Sequence, residues 1–259
     1  MKLLGNEVRW RLITALALSD RKVNELVEGG PQPANLVSYH LGQLRAARLV
    51  TERRSSADAR DVYYSLDLER LEAALRRWAG AIHPGLWPEP GPSTAGALVI
   101  DPAAGPPARV LFLCTHNSAR SQMAEAILRH HAGGTVDVRS AGSHPSHVHP
   151  LALRMLDELG IDAAGLHSKP LSSFADDRFD YVITLCDRVR ELCPSWPGAP
   201  EQVHWSLADP AVAGASGEEA LLAFRSTAVE LSRRVRYFLA LVAGRGIQTP
   251  PEGAPSRRS

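Results

Sequence analysis

A cysteine and an arginine separated by five residues are the most chemically informative feature of the sequence. Cys114 ends an apolar, strand-like run and Arg120 opens a helical segment, so the loop between them gathers several backbone N–H groups around one point. Such a loop predicts a cradle for a tetrahedral oxyanion, in which Arg120 binds two oxygens and the positive potential favours the nucleophilic Cys114 thiolate. The predicted oxyanion-binding residues are Thr115, His116, Asn117, Ser118, Ala119, Arg120 and Ser121.

The alternative is a buried structural cysteine beside a surface arginine, which the strand–loop–helix context disfavours. Two more thiols, Cys186 and Cys193, complete a set of three cysteines. An odd, small number argues against a secreted disulfide scaffold and predicts a reducing, cytoplasmic location. Zinc binding by the pair is disfavoured, because neither a C-x-x-C spacing nor a fourth ligand is present. The histidines near Pro145 and Pro150 are expected to bind no metal; they are His144, His147 and His149.

The composition is that of a globular protein, with 44% hydrophobic and 22% charged residues and a net charge of +1 over 259 residues. No apolar run of about 18 residues is present, so no membrane-spanning helix is predicted. The charged N-terminus does not resemble a signal peptide. Because the net charge is small, any binding of nucleic acid must come from a local basic patch.

A proline-rich stretch divides the chain. Seven of the 19 prolines lie in residues 84–107, which predicts an extended linker. We therefore expect a first body over 1–83 and a second over 108–243. Residues 244–259 contain few large apolar side chains and are expected to form a disordered tail.

The second body alternates between strand-like and helical patterns. Because this order is typical of an α/β domain with a parallel sheet, and ligands bind at the carboxyl ends of such strands, Cys114 is well placed for chemistry. The predicted strands are 109–114, 136–140 and 181–185, and the predicted helices are one after Arg120, 150–159 and 221–241.

Residues 109–241 resemble the low-molecular-weight tyrosine phosphatase fold and, within it, the thioredoxin-coupled arsenate reductases. The resemblance rests on the Cys114–Arg120 loop, on 139–142, on 207–210 and on the two later cysteines. It implies that Asp209 is the general acid and that Cys186 and Cys193 are a shuttling thiol pair. Ala211 stands where the phosphatases usually have an aromatic residue, and Ala119 where they usually have a cysteine. Both departures favour a reductase.

The resemblance implies a relay without a bound cofactor. Cys114 attacks arsenate held by Arg120 and the loop amides, and Asp209 protonates the departing oxygen. Cys186 then attacks the adduct and releases arsenite, and Cys193 takes over Cys186 to present a disulfide to thioredoxin. Relatives with a potassium site use four residues, of which Asn117, Glu125 and Ser140 match. Lys169 stands in the fourth place, so an ammonium group is expected there instead of potassium.

The relay predicts a movement. If residues 186–193 form a helix, the Cα atoms of the two cysteines lie about 10.5 Å apart, at 1.5 Å per residue. A disulfide tolerates only about 4.4–6.8 Å. The segment is therefore expected to be helical or extended apart when reduced, and to unwind when oxidised.

The first body is expected to be an α+β winged helix-turn-helix domain. The predicted helices are 3–17, a short one ending at Gly29, 33–47 and 67–81, with a hairpin over 50–66. Residues 3–82 resemble ArsR-type repressors, through 25–27, 37–41, 44–50 and 62–66. In that family a glycine usually stands at Arg48, so strain or a shifted turn is expected there.

The resemblance makes residues 33–47 a recognition helix for an operator in double-stranded DNA. The predicted base or phosphate contacts are Gln32, Asn35, Ser38 and Tyr39, and the predicted phosphate contacts are Arg45, Arg53, Arg54 and Arg60. The alternative is a helix that only packs. A homodimer through 3–17 and 67–81 is expected, because two half-sites need two recognition helices.

Arsenic-sensing members bind arsenite through cysteines of the repressor domain, and residues 1–83 contain none. DNA binding is therefore unregulated, controlled by the second body, or lost. Three hypotheses follow: a thioredoxin-coupled arsenate reductase fused to a DNA-binding module, a protein phosphatase with a DNA-targeting module, or a repressor whose second body senses redox state or oxyanions.

Overall fold

The computed structural model describes residues 3–83, 107–192, 196, 198, 200–211 and 217–245. Cys193 lies outside these residues. So do most of the predicted linker and the part of the predicted tail that follows Arg245. None of the helices in the described part of the chain is long and apolar enough to span a bilayer.

The first body has the predicted order of three helices, a hairpin and a fourth helix. Its helices are α1 (Glu7–Leu16), α2 (Val23–Glu28), α3 (Ala34–Ala46) and α4 (Leu68–Ile82). Its strands are β1 (Arg21–Lys22), β2 (Val50–Arg54) and β3 (Val62–Leu66), which form an antiparallel sheet in the order β1-β3-β2. The two-residue strand β1 was not predicted. Asn6 and Asp67 cap α1 and α4 by accepting backbone N–H bonds, so α1 begins later than the apolar pattern suggested.

Fully buried apolar side chains of the helices hold the first body together, among them Leu12, Val37, Leu41 and Leu44. The turn after α3 confirms the expected strain, because Arg48 has a φ of 57°. Glycine adopts this left-handed conformation more readily than other residues do.

The second body is an α/β domain with a parallel sheet, as predicted. Its strands are β4 (Ala108–Cys114), β5 (Val136–Gly142), β6 (Tyr181–Thr184) and β7 (Glu201–His204), in the order β5-β4-β6-β7. Its helices are α5 (Arg120–Ala132), α6 (Pro150–Glu158), α7 (Asp187–Leu192) and α8 (Gly217–Arg245). The edge strand β7 was not predicted, and α8 extends two residues into the predicted tail.

One set of contacts between the two bodies joins the segment after α1 to the end of β7, the segment after it and α8. The Asp20 N–H donates to the His204 carbonyl at 2.7 Å, and its carboxylate accepts from the Ser206 N–H at 2.7 Å and from Arg234 at 2.9 Å. The Trp205 indole N–H donates to the Leu18 carbonyl at 3.1 Å. Residues from both bodies therefore surround the end of β7, from which the chain continues to Asp209.

Candidate active site

The predicted oxyanion loop lies at the carboxyl end of the central strand β4. Cys114 is 2% exposed and pairs in register with Gly142 on β5. A Cβ atom at Gly142 would lie 2.7 Å from the Thr115 carbonyl oxygen and 2.8 Å from the Asn117 nitrogen. Only glycine therefore lets β5 approach the loop this closely.

The segment after β5 fixes the orientation of the loop. The N–H groups of His144, Ser146 and His149 donate to the carbonyls of Thr115, His116 and Ser118, at 2.8, 3.0 and 2.8 Å. In a trans peptide the carbonyl and the N–H point in opposite directions. These bonds therefore turn the N–H groups that follow each carbonyl toward the opposite side, which favours anion binding.

A hydroxyl group lies beside the predicted nucleophile. The Ser121 Oγ is 2.9 Å from Cys114 Sγ, and the Asn117 side-chain amide donates to Ser121 Oγ at 2.8 Å. All three residues are buried. The Ser121 hydroxyl is therefore within hydrogen-bond distance of the Cys114 sulfur, and the Asn117 amide holds it in that position.

Hydrogen-bonded polar groups extend from this serine to Lys169. The Asn117 amide also donates to Ser140 Oγ at 2.8 Å, and that hydroxyl donates to Glu125. Lys169 Nζ donates to Glu125 Oε2 at 3.2 Å and to the His167 carbonyl at 3.1 Å. An ammonium group therefore lies against the carboxylate, at the position expected from the sequence.

Arg120 contacts the segment that carries the predicted acid. Its side chain is nearly buried, and it donates to the Leu207 carbonyl at 3.0 Å and to Asp209 Oδ2 at 2.9 Å. The Asp209 side chain is 41% exposed. The guanidinium group of Arg120 and the carboxylate of Asp209, the predicted acid, are therefore neighbours beside the oxyanion loop.

A second thiol lies at the same loop. Cys186 is 2% exposed, and its Sγ lies 3.3 Å from the Thr115 hydroxyl oxygen. Burial raises the pKa of the Cys186 thiol; the charge of Arg120 acts against this, while that of Cys114 adds to it. Cys114 and Cys186 are both free thiols. The predicted third thiol, Cys193, lies outside the described residues.

Comparison with known proteins matches the model of the family "Low molecular weight phosphotyrosine protein phosphatase" to residues 109–246. The chain belongs to this family. An "Arsenate reductase" of Halalkalibacterium halodurans is 38% identical over 50% of this chain and 93% of its own length. A "Glutaredoxin arsenate reductase" of Synechocystis is 36% identical over 52% of this chain and 98% of its own length.

A solved structure described as "An arsenate reductase in the phosphate binding state" has 36% identity and a TM-score of 0.46, covering 52% of this chain and 98% of that one. The curated relatives support an enzyme of the arsenate reductase type. Each of these two relatives matches about half of this chain.

Two polar residues of the site, the buried Gln122 and the half-buried Ser168, were missed at the sequence level. The Gln122 amide donates to the Asn117 carbonyl and side chain and to the His167 carbonyl, at 3.1, 2.9 and 2.8 Å. Ser168 Oγ donates to the same Asn117 carbonyl. These bonds hold Asn117 at a φ of 46°, in the left-handed region that asparagine tolerates. The available signal in the sequence was Asn117 itself, because an asparagine between a cysteine and the start of a helix needs partners for its side chain and backbone.

The histidines after β5 have structural partners. The His149 ring stacks on Phe224 with centroids 4.5 Å apart, and its Nδ1 accepts from the Leu151 N–H at the start of α6. His144 Nδ1 lies 3.1 Å from Ser143 Oγ. Within the described residues no group of three His, Cys, Asp or Glu side chains is arranged to hold a metal ion.

The predicted DNA contacts differ in their surroundings. Asn35, Ser38 and Tyr39 are exposed on α3, whereas Gln32 is half-buried. Three of the four predicted arginines pair with carboxylates of the same chain: Arg45 with Glu52 at 2.6 Å, Arg60 with Asp58 at 2.6 Å, and Arg53 with Asp187 at 2.5 Å. Arg54 donates to the Ala59 carbonyl at 3.0 Å.

Proposed function

We propose that the second body is an arsenate reductase that uses a relay of three cysteines. The observation that carries this proposal is the position of Cys186, whose sulfur contacts the oxyanion loop through Thr115. Hydrolysis of a phosphate ester needs only the nucleophile, the arginine and the acid, since water regenerates the thiolate. Reduction of arsenate must take two electrons from the enzyme, and a second thiol at the same loop supplies the means.

In the first step the Cys114 thiolate attacks the arsenic atom while Arg120 and the loop amides hold the oxyanion. An arsenic–oxygen bond breaks, and Asp209 gives its proton to that oxygen, which leaves as water. The product is a covalent adduct between Cys114 Sγ and arsenic(V). The contact between Arg120 and Asp209 supports this assignment, because it places the acid beside the group that binds the oxyanion.

In the second step Cys186, as the thiolate, attacks the sulfur of Cys114. A disulfide forms, and the electron pair of the sulfur–arsenic bond stays on arsenic, which leaves as arsenite. Cys193 then attacks Cys186, which returns Cys114 as a thiolate and leaves a disulfide between Cys186 and Cys193. A dithiol protein, thioredoxin in our proposal, reduces that disulfide and is itself oxidised. These steps need a reducing, cytoplasmic setting and no bound cofactor.

The test is arsenate-dependent oxidation of NADPH, coupled through thioredoxin and thioredoxin reductase. Many turnovers per chain are expected, and none with Cys114→Ser. Cys193→Ser should release one arsenite per chain and then stop with Cys114 bonded to Cys186. Because one relative is named a glutaredoxin arsenate reductase, a parallel assay with glutaredoxin and glutathione tests the reductant. Phosphotyrosine hydrolysis without arsenate turnover would favour the phosphatase, and a single turnover with every reductant would favour the sensor.

We further propose that the first body is a winged-helix module that binds double-stranded DNA as a homodimer. The exposed polar face of α3, with Asn35, Ser38 and Tyr39, supports a recognition helix, and the β2–β3 hairpin supports the wing. Fluorescence anisotropy with a duplex from upstream of the chain's own gene tests this. Binding should fall steeply with salt and be lost in Tyr39→Ala/Ser38→Glu. Salt-independent signals, or a monomer by light scattering at micromolar concentration, would contradict the proposal.

A further inference from the structure

A buried carboxylate next to the second thiol is not used by the proposed reaction. Asp187 follows Cys186 directly, opens helix α7, and its side chain is 0% exposed. An ionised carboxylate is rarely buried without partners, because the loss of hydration costs several kcal/mol. The partners of Asp187 therefore matter for the position of Cys186.

Some of those partners lie in the first body. The Ser56 N–H and hydroxyl donate to Asp187 Oδ2 at 2.6 and 2.9 Å, and Arg53 Nη2 donates to both carboxylate oxygens at 2.7 and 2.5 Å. His204 and Ser206 complete the set from the second body, at 3.2 and 2.8 Å. Burial by itself would raise the pKa of Asp187, but these hydrogen bonds hold that pKa well below its ordinary value.

Arg53 also binds the segment after β7. Its Nε donates to the Ser206 carbonyl at 3.1 Å, and its Nη2 contacts the Ser206 hydroxyl. Ser206 is held independently, since its N–H donates to Asp20 at 2.7 Å. One guanidinium group therefore connects the residue after Cys186 to a fixed point of the neighbouring segment.

The rest of α7 is attached to the first body in the same way. Arg190 donates to Glu25 at 2.9 Å, and Lys22 Nζ donates to Glu191 at 3.2 Å. With Asp187, these residues have the i, i+3, i+4 spacing that places side chains on one helix face. We call this face, Asp187, Arg190 and Glu191, the docked face of α7.

We propose that Arg53 is a positioning residue for the resolving thiol: by holding Asp187 against Ser206, it keeps Cys186 at the oxyanion loop, ready to attack the Cys114–arsenic adduct. This rests on the proposed arsenate reductase function. The step concerned is the second one, because Arg53 contacts neither Cys114 nor Arg120 in the described structure. A displacement of about 1 Å from such a geometry costs on the order of 100-fold in rate.

The test compares Arg53→Gln with Arg70→Gln in the full-length chain. Arg70 is a matched control, because its carboxylate partner, Asp67, lies in its own body. With reduced enzyme and no thioredoxin, we expect arsenite release in a single turnover to slow by about tenfold to a hundredfold in Arg53→Gln. Hydrolysis of p-nitrophenyl phosphate, which needs Cys114, Arg120 and Asp209 but not Cys186, should stay within about twofold. Arg70→Gln should match the wild type in both assays.

A second readout does not depend on arsenate. Alkylation of Cys186 by iodoacetamide, followed by peptide mass spectrometry, should become several-fold faster in Arg53→Gln, because a released segment exposes the buried thiol. If the wild type releases no arsenite, the proposed function fails, and the alkylation rates alone decide the role of Arg53. The proposal would be overturned if Cys186 in Arg53→Gln were alkylated at the wild-type rate. It would also be overturned if arsenite release and p-nitrophenyl phosphate hydrolysis fell by equal factors in this variant.

Folding is controlled with the isosteric variant Asp187→Asn and the double variant. If Arg53 acts through Asp187, the double variant should release arsenite no more slowly than the slower single variant. Additive losses would show that Arg53 acts elsewhere and would overturn the proposal. Arg53→Lys should recover part of the rate, since lysine keeps the charge but lacks the fork that binds two oxygens and Ser206 together.

Discussion

Cys114 ends strand β4 and Cys186 lies just after the neighbouring strand β6, but different parts of the chain surround the two thiols. The groups linked to Cys114, from Ser121 through Asn117 to Lys169, all belong to the second body. Around Cys186, by contrast, the adjacent carboxylate of Asp187 is shared between the second body and the β2–β3 hairpin of the first.

The difference indicates that, within the described residues, the first body contacts the surroundings of one of the two thiols and not those of the other. The matched region makes up 93% of one curated relative and 98% of another, but only about half of this chain. The groups around Cys114 lie within the second body, so we expect Cys114 to depend little on the first body. Cys186 lies next to Asp187, which the first body contacts, so its surroundings are the ones that the first body can change.

Replacing each thiol by serine should give the largest difference in activity between the two regions. Cys114→Ser should lower both arsenite release and p-nitrophenyl phosphate hydrolysis by a factor on the order of 10⁴ or more, because the serine hydroxyl stays protonated where the thiol ionises. Cys186→Ser should lose arsenite release but keep the hydrolysis. Both rates are measured on the same preparations. Arsenite release by Cys114→Ser would remove the proposed mechanism.

Arg120→Lys tests the oxyanion contact. A lysine cannot bind two oxygens in one plane, so both activities should fall by about 10²–10³-fold. Alkylation of Cys186 in the same variant checks that the loop is intact, and far-ultraviolet circular dichroism checks the fold. A loss of less than about threefold would show that the loop amides alone hold the substrate.

Lys169→Met tests the buried network behind Cys114. Glu125 loses the ammonium group but keeps its contact with Arg129, so the free energy of unfolding should fall by about 1–3 kcal/mol. Urea denaturation measures this. Arg154→Met is the control, because its pairing with Glu158 is exposed and should contribute much less to stability. If the comparison of the two regions holds, alkylation of Cys186 stays unchanged in Lys169→Met.

The pH dependence of Cys186 alkylation tests its burial. Since burial raises the pKa of this thiol, the midpoint of the alkylation rate should lie above the ordinary thiol value of 9.0. The protonated thiol then stabilises the fold below that value, and this contribution is lost as the pH rises through the folded-state pKa. In Cys114→Ser the midpoint should move down, because the charge of Cys114 also raises the pKa. An unchanged midpoint would mean that the two thiols do not interact.

Arg48→Gly should have the smallest effect. Glycine removes the strain at a φ of 57°, so the first body should gain about 0.5–1 kcal/mol in thermal unfolding. Ala47→Gly, at an unstrained φ of −83°, is the control and should show no gain. Neither substitution should change the alkylation of Cys114 or Cys186. A change there would mean that the docked face of α7 responds to the whole first body and not to its local contacts.

What the sequence predicted was local. The place of the Cys114 loop follows from short-range patterns, and the loop lies between β4 and α5. The strain at Arg48 was expected from the resemblance to the repressor family, and its φ of 57° agrees with that expectation. The strand β1 has only two residues, which is too short for a pattern to show. The strand β7 has four residues, as β6 does, but only Val203 among them is apolar, whereas the β6 sequence is largely apolar and was therefore visible as a strand.

The pairing of Arg53 with Asp187 joins residues 134 positions apart, and no local pattern indicates it. A basic hairpin has the same sequence pattern whether its partner is a nucleic acid or a buried carboxylate. For this reason the sequence predicted a phosphate contact for Arg53. Only the packing of the two bodies distinguishes these partners.

The docked face of α7 gives the proposed relay a thermodynamic linkage. If the disulfide between Cys186 and Cys193 unwinds α7, Asp187, Arg190 and Glu191 can no longer all face the first body. If the disulfide lowers the affinity between the bodies by some factor, docking of the bodies lowers the equilibrium constant for forming that disulfide by the same factor. This holds because the coupling free energy is reciprocal. A partner that pulls the first body away would then make the same cysteine pair easier to oxidise and harder to reduce. Helix α7 would in that case connect the reduction potential of the enzyme to the binding state of its first domain.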